Sequence, residues 1–199
     1  MHKPSARVDV RISQRVQTHQ VIPVIIAFIT ANKLHTSIAM SSSLTVQKPP
    51  TPFSITGKSV FLAGSIEMGS APDWQAALTE TLSARLPSTT ITVLNPRRGN
   101  WDGGWVQSIH NAQFKEQVDW ELDAQDTCDV IAMYFSPGTK SPISLLELGL
   151  YAASGKIVVC CPEGFWRKGN VEIVCHRYGI KLCESMEEFE HEVTRRLQE

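Results

Sequence analysis

The chain from Lys58 onward predicts an α/β fold of the Rossmann-like, flavodoxin type: three layers, with a five-stranded parallel sheet between helices. Three observations predict it. Short runs rich in Val, Ile and Leu alternate with longer stretches whose apolar residues recur at helical spacing. The places directly after the strand-like runs are polar or glycine-rich, where open sheets of this kind bind ligands. With 199 residues, 42% of them hydrophobic, the chain is long enough for one well-buried domain and gives no sign of two.

Ser59–Ala63 reads as the first strand, ending at Gly64, and Ala71–Leu86 as the first helix, with Trp74, Leu78 and Leu82 on one face. Thr89–Leu94 is the second strand, closed by Asn95-Pro96. A polar loop, Arg97–Gln107, leads into a helix over Ser108–Thr127 whose apolar stripe is Phe114, Val118 and Leu122. Asp129–Phe135 is the third strand. Pro142–Ser154 is the next helix, since Ser141 can cap it and Pro142 suits its first position. The strand Lys156–Cys161 follows, then a short helix near Val171–Tyr178, a strand Ile180–Leu182 and a terminal helix with Phe189 and Val193 inward. No internal repeat is visible.

Residues 1–57 differ from the domain at 58–199. Lys3, Arg7, Arg11, Arg15, Lys33 and Lys48 face a single acid, Asp9, and Ser41–Ser43 and Pro49–Pro52 have linker composition. The apolar run Val21–Ile29 is too short to span a bilayer and is broken by Pro23, so no membrane anchor is expected. The segment reads as an extension without stable order. A mitochondrial transit peptide, less well a signal peptide, and an upstream extension ahead of a start at Met40 all fit its composition. Cytoplasmic localisation is expected, with a mitochondrial one if residues 1–39 are a transit peptide.

A net charge of -1 argues against the broad basic face that nucleic-acid binding needs. Cys128, Cys160, Cys161, Cys175 and Cys183 show no metal-ligand spacing and sit in apolar settings, so reduced, buried thiols and no metal or cofactor are expected. Small-molecule chemistry is the better expectation.

Glu147 carries the functional argument. It is a lone carboxylate inside the apolar helix Pro142–Ser154, which follows a strand. An unpaired buried carboxylate costs several kcal/mol, so a chain that places one there usually uses it. Near the start of its helix, the dipole would help to keep it charged. Glu121, at the edge of the preceding helix stripe, is positioned to meet it, and two adjacent carboxylates push their pKa values apart. One anion and one proton holder is the division of labour for breaking a glycosidic bond by covalent catalysis. The alternative is a structural acid paired with Arg97, Arg98 or a backbone amide. Asp119, Asp123 and Asp126 read as a solvated face. Around this pair, Gly64 and Ser65 would hold sugar or phosphate oxygens, and Ser141 and Ser144 join the substrate-binding candidates. In the loop after the second strand, Arg97 suits a phosphate or carboxylate, while Trp101 and Asp102 suit a heterocycle; a loop pinned to the core by Trp101 and Trp105 is an equal alternative.

Together these residues resemble the nucleoside 2-deoxyribosyltransferase family, more closely its nucleoside 2-deoxyribosyltransferase-like subgroup, over roughly Ser59–Tyr178. The marks are Phe61-Leu-Ala-Gly-Ser-Ile66, an acid eight residues before Asp129-Val130, and Glu147-Leu-Gly149 followed by Ala and Gly-Lys. The resemblance implies that Glu147 is the nucleophile that forms a glycosyl-enzyme intermediate and that Glu121 helps the base depart. It also implies a nucleoside or nucleoside monophosphate and a free nucleobase as partners, and a homo-oligomer in which Asn170 reaches a neighbouring site. Asn170 as a helix cap before Val171 is at least as good a reading. Three positions depart from the family pattern: Glu121 stands where Asp is usual, Ser141 where many members carry an acid, and Val60 where the better-known enzymes have Tyr. A catalytically idle nucleotide or nucleotide-sugar sensor is therefore the rival expectation.

Overall fold

The computed structural model describes residues 43–67, 71–99 and 104–199. The elements are β1 (Leu44–Gln47), β2 (Lys58–Gly64), α1 (Trp74–Arg85), β3 (Ile91–Leu94), α2 (Ala112–Thr127) and β4 (Val130–Tyr134). They continue as α3 (Pro142–Tyr151), β5 (Ile157–Cys160), α4 (Lys168–Tyr178), β6 (Lys181–Cys183) and α5 (Met186–Arg196). All strands run parallel in the order β1-β3-β2-β4-β5-β6.

The sheet thus has six strands where the sequence predicts five. The additional one, β1, lies within the stretch assigned to the extension and pairs Leu44 with Ile91 through to Gln47 with Leu94. Its four residues have no recognisable apolar run, and only the open edge of β3 makes them a strand. The proline-rich segment that follows is tied down rather than loose. Gln47 exchanges two 2.7 Å side-chain bonds with the backbone of Ser54, and Trp120 Nε1 donates to Thr51 O at 2.9 Å. Phe53 packs edge-on against the Trp120 ring, centroids 5.4 Å apart. The expectations for residues 1–39 lie outside the described residues.

Setting β1 aside, the remaining order is second-first-third-fourth-fifth, the flavodoxin arrangement. Its order reverses between β2 and β4, so a crevice opens at their carboxyl ends, after Gly64 and Tyr134. The two faces are covered separately. On one, Val60, Leu62, Val93, Ala132 and Val158 meet Trp74, Leu78 and Leu82 of α1 and Phe189 and Val193 of α5. On the other, Phe61, Ala63, Ile131, Met133 and Val159 meet Trp120 of α2, Leu148 of α3 and Val171 and Cys175 of α4. All five cysteines are free and buried.

Two helices differ from expectation in ways that bear on the site. On α2 the buried positions are Gln117, Trp120, Ala124 and Gln125, while Phe114, Val118 and Leu122 are only partly buried. The helix therefore turns a polar face inward, because it lies over the crevice rather than wholly over the core. It also starts at Ala112 rather than Ser108, capped by Asn111, whose side chain accepts from the Phe114 amide. In α3, Ser141 adopts a left-handed conformation (φ 42°, ψ 54°) and makes no side-chain cap bond, so the expected serine cap is not formed. Its hydroxyl is engaged elsewhere.

Candidate active site

The second turn of α3 carries Glu147, buried and 8% exposed. One oxygen, Oε1, accepts from Gln125 Nε2 at 2.8 Å. The other has no hydrogen-bond partner among the described residues. Neither Arg97 nor Arg98 pairs with Glu147, so the structural ion pair considered from the sequence is not formed.

Glu121 comes in from α2 as expected. Its Oε1 accepts from Gln117 Nε2 at 2.7 Å, and Gln117 also donates to Pro96 O and accepts from Arg98 at 3.4 Å. Burial pushes Glu121 up to about 7, against the Gln117 hydrogen bond. It pushes Glu147 up to about 8, with the Glu121 charge adding to the rise and Gln125 opposing it. Burial therefore outweighs the helix dipole, whose influence fades beyond the first turn. At neutral pH the pair holds protons rather than two full charges, and its titration belongs to both residues together.

Gln117 and Gln125, each four residues from Glu121 along α2, were missed in the sequence. Their spacing puts all three on one face, and that signal was available. Gln125 is fully buried, and its Oε1 has no hydrogen-bond partner among the described residues. At the edge of the site, Tyr151 hydroxyl donates to Asp126 at 2.9 Å, so Asp126 is not simply solvated.

At the head of α3 lies a knot of hydroxyls. Ser65 Oγ is 2.8 Å from Thr139 Oγ1 and 2.6 Å from Ser141 Oγ, and it accepts from the Ser136 amide at 2.9 Å. Thr139 had no sequence signal. Ser144 is buried one turn before Glu147's neighbour Leu148, and its hydroxyl has no partner among the described residues. Ser144 and Glu147, three residues apart on α3, lie on neighbouring positions of its buried side, whereas Ser141 stands before the helix in its left-handed conformation.

The other candidates fall in different settings. Gly64 needs to lack a side chain, but for the sheet: at φ 134°, a Cβ would lie 2.2 Å from Tyr134 O. Arg97 reaches the carbonyls of Ala71 and Pro72 and the Gln75 amide, with Asp73 at 3.8 Å. It thereby braces the start of α1. Arg98 lies over the Trp105 ring, 5.0 Å from its centre. Trp101 and Asp102 lie outside the described residues. Asn170 is exposed inside the first turn of α4 and is not its cap, that position being Arg167. It lines a groove of about 320 Å³ between α3 and α4, with Leu145, Gly149 and Trp166.

The family model for nucleoside 2-deoxyribosyltransferase-like proteins matches residues 57–165, a span that includes β2 through β5 and both glutamates. The chain belongs to the nucleoside 2-deoxyribosyltransferase-like family. A crystal structure of a conserved protein from Enterococcus faecalis V583 has a similar fold, with a TM-score of 0.50 at 11% identity. The similarity covers 72% of this chain and 98% of that one, and at this identity it bears on the fold alone. No curated protein matches. Membership of this nucleoside 2-deoxyribosyltransferase-like family points to nucleoside-related chemistry.

Proposed function

We propose that this protein cleaves or exchanges the N-glycosidic bond of a nucleoside or nucleoside monophosphate through a covalent glycosyl-enzyme intermediate on Glu147. The observation that carries it is a buried carboxylate with one oxygen oriented by Gln125 and the other unpartnered, beside a second acid with a raised pKa. The unpartnered oxygen attacks the anomeric carbon as the C1′–N bond breaks and its electron pair leaves with the base. In the form of the singly protonated pair that leaves Glu147 ionised and the shared proton on Glu121, Glu121 delivers that proton to the departing base; with Glu147 raised to about 8 and Glu121 to about 7, this is the minor of the two forms. A free nucleobase then attacks C1′, returns a proton to Glu121 and displaces Glu147, giving transfer; water in its place gives hydrolysis. No metal or organic cofactor takes part in this scheme.

Within the same proposal the protein acts in the cytoplasm as a homo-oligomer. Ile143, Leu146 and Leu150 on the outer side of α3, with Trp166 beside the α3–α4 groove, are the exposed apolar residues that support assembly there. Asn170 in that groove is then available to a neighbouring copy's site.

The test is incubation with a panel of deoxyribonucleosides, ribonucleosides and their monophosphates plus a free base, following base exchange and release by chromatography. Intact-mass detection of a glycosyl adduct that disappears in Glu147→Ala supports the mechanism. Tight binding without turnover by the wild type supports the sensing module instead. One observation favours that second reading: Ser141, standing where many relatives carry an acid, spends its hydroxyl on Ser65 and Thr139.

A further inference from the structure

We infer that Trp120 is a positioning residue: gripped by the strap at residues 48–57, between β1 and β2, it fixes the turn of α2 that presents Glu121 to Glu147. The role given to Glu121 rests on the glycosidic reading above; the anchor itself does not. Trp120 and Glu121 are neighbours in sequence and so point about 100° apart around the helix. The indole is buried. Its ring centre lies 6.5 Å from that of Phe61 on β2 and 5.4 Å from that of Phe53 on the strap, which it meets edge-on, and its Nε1 donates to Thr51 O at 2.9 Å. A ring of this size, packed against two others and bonded at its edge, leaves the helix little freedom to turn about its axis.

The strap can serve as an anchor because the sheet holds it at both ends. β1 before it pairs with β3, and Gln47 exchanges two bonds with Ser54. Thr92 of β3 donates to Thr56 O and accepts from the Thr56 amide, both at 2.9 Å. The second half of α2 is secured separately, by Tyr151 at Leu122 O and Asp126 and by Lys156 at the carbonyls of Gln125 and Asp126. Trp120 and Gln117, which donates to Pro96 O and to Glu121, tie the turn that ends at Glu121. A glutamate carboxylate stands roughly 6 Å from its helix axis, so a rotation of about 20° moves it about 2 Å. Misplacement by about 1 Å at a reacting centre costs on the order of 100-fold in rate. The strap's anchoring residues, Thr51 and Phe53, precede the residues 57–165 that the family model matches, so this chain brings the anchor from outside the matched span.

The experiment uses two changes at the anchor and one control. Trp120→Phe keeps a ring but removes the donor to Thr51, and Phe53→Leu removes the ring contact from the strap. Phe189→Leu alters a buried ring on the opposite face of the sheet. NMR titration of isotope-labelled glutamate carboxyls follows the Glu121–Glu147 pair, and base release from the best nucleoside of the panel gives kcat and KM. Both anchor variants are expected to lower the pair's titration, which burial holds at about 7 and about 8, by about half a pH unit or more as water reaches the loosened carboxyls. They are also expected to lower kcat by about tenfold while KM stays within about threefold. Phe189→Leu is expected to change neither. A folded Phe53→Leu whose pair titrates as in wild type overturns the inference, and it decides the matter even where Trp120→Phe does not fold. An equal shift in Phe189→Leu overturns it too, because that marks general loosening. The titration needs no turnover, so a wild type that releases no base sinks the glycosidic reading while the anchor still stands or falls by the NMR result.

Discussion

Replacing Glu147 by glutamine should make the protein more stable in alkali while abolishing its activity. The carboxyl ionises near its ordinary value of 4.5 in the unfolded chain and near about 8 in the folded one, because burial and the Glu121 charge disfavour the anion. The folded protein therefore binds this proton more tightly than the unfolded chain, and stability falls as pH rises from about 4.5 to about 8. With each pH unit worth about 1.4 kcal/mol, the wild type at pH 9 carries a penalty of about 3 to 5 kcal/mol that a neutral amide of the same shape avoids. At pH 5 the same difference is below about 1 kcal/mol. The Gln125 bond survives, since the amide oxygen accepts as the carboxylate did. Thermal unfolding at pH 5 and pH 9 reads the contrast: at about 2–4 °C per kcal/mol, Glu147→Gln should melt at least about 6 °C higher than wild type at pH 9 and nearly with it at pH 5. Equal offsets at the two pH values, or none at pH 9, would refute a buried carboxyl that resists ionisation.

Other outcomes follow from the same geometry. The productive state has Glu147 ionised and Glu121 protonated, so kcat/KM should trace a bell with its maximum between about 7 and about 8; a profile flat from pH 5 to 9 would exclude the acid pair. Gln125→Leu removes the donor that favours the Glu147 anion, so the alkaline limb should move to higher pH and the maximum fall by about 10-fold or more as the form with Glu147 ionised becomes rarer, measured as a pH profile of base release. A chain starting at Lys58 loses β1 and the Thr51 and Phe53 contacts to Trp120 and should be less stable than the full-length protein by about 3 kcal/mol or more in denaturant titration.

The flavodoxin-type order, the helices α1 and α5 with their buried faces, and Glu147 as an inward carboxylate were all legible, because each depends on local periodicity or on a charge inside an apolar run. The sixth strand was not, since Leu44–Gln47 becomes a strand only through an edge that residues 91–94 supply from elsewhere in the chain. The inward face of α2 was misread for a related reason. A helix over a crevice can bury amides and acids, so the apolar stripe Phe114, Val118, Leu122 did not mark its core side.

The sequence by itself determined the fold class, the family resemblance and the pair of glutamates, since apolar periodicity and short motifs are written in consecutive residues. Only the tertiary structure decided which groups surround that pair. Gln125 on Glu147 and Glu67 on the head of α3 join residues 22 to 74 positions apart, unlike Gln117 and Glu121, which are one turn apart on α2. Such partners are selected by the close packing of helices around the end of the sheet, and it is their burial that sets which carboxyl keeps its proton.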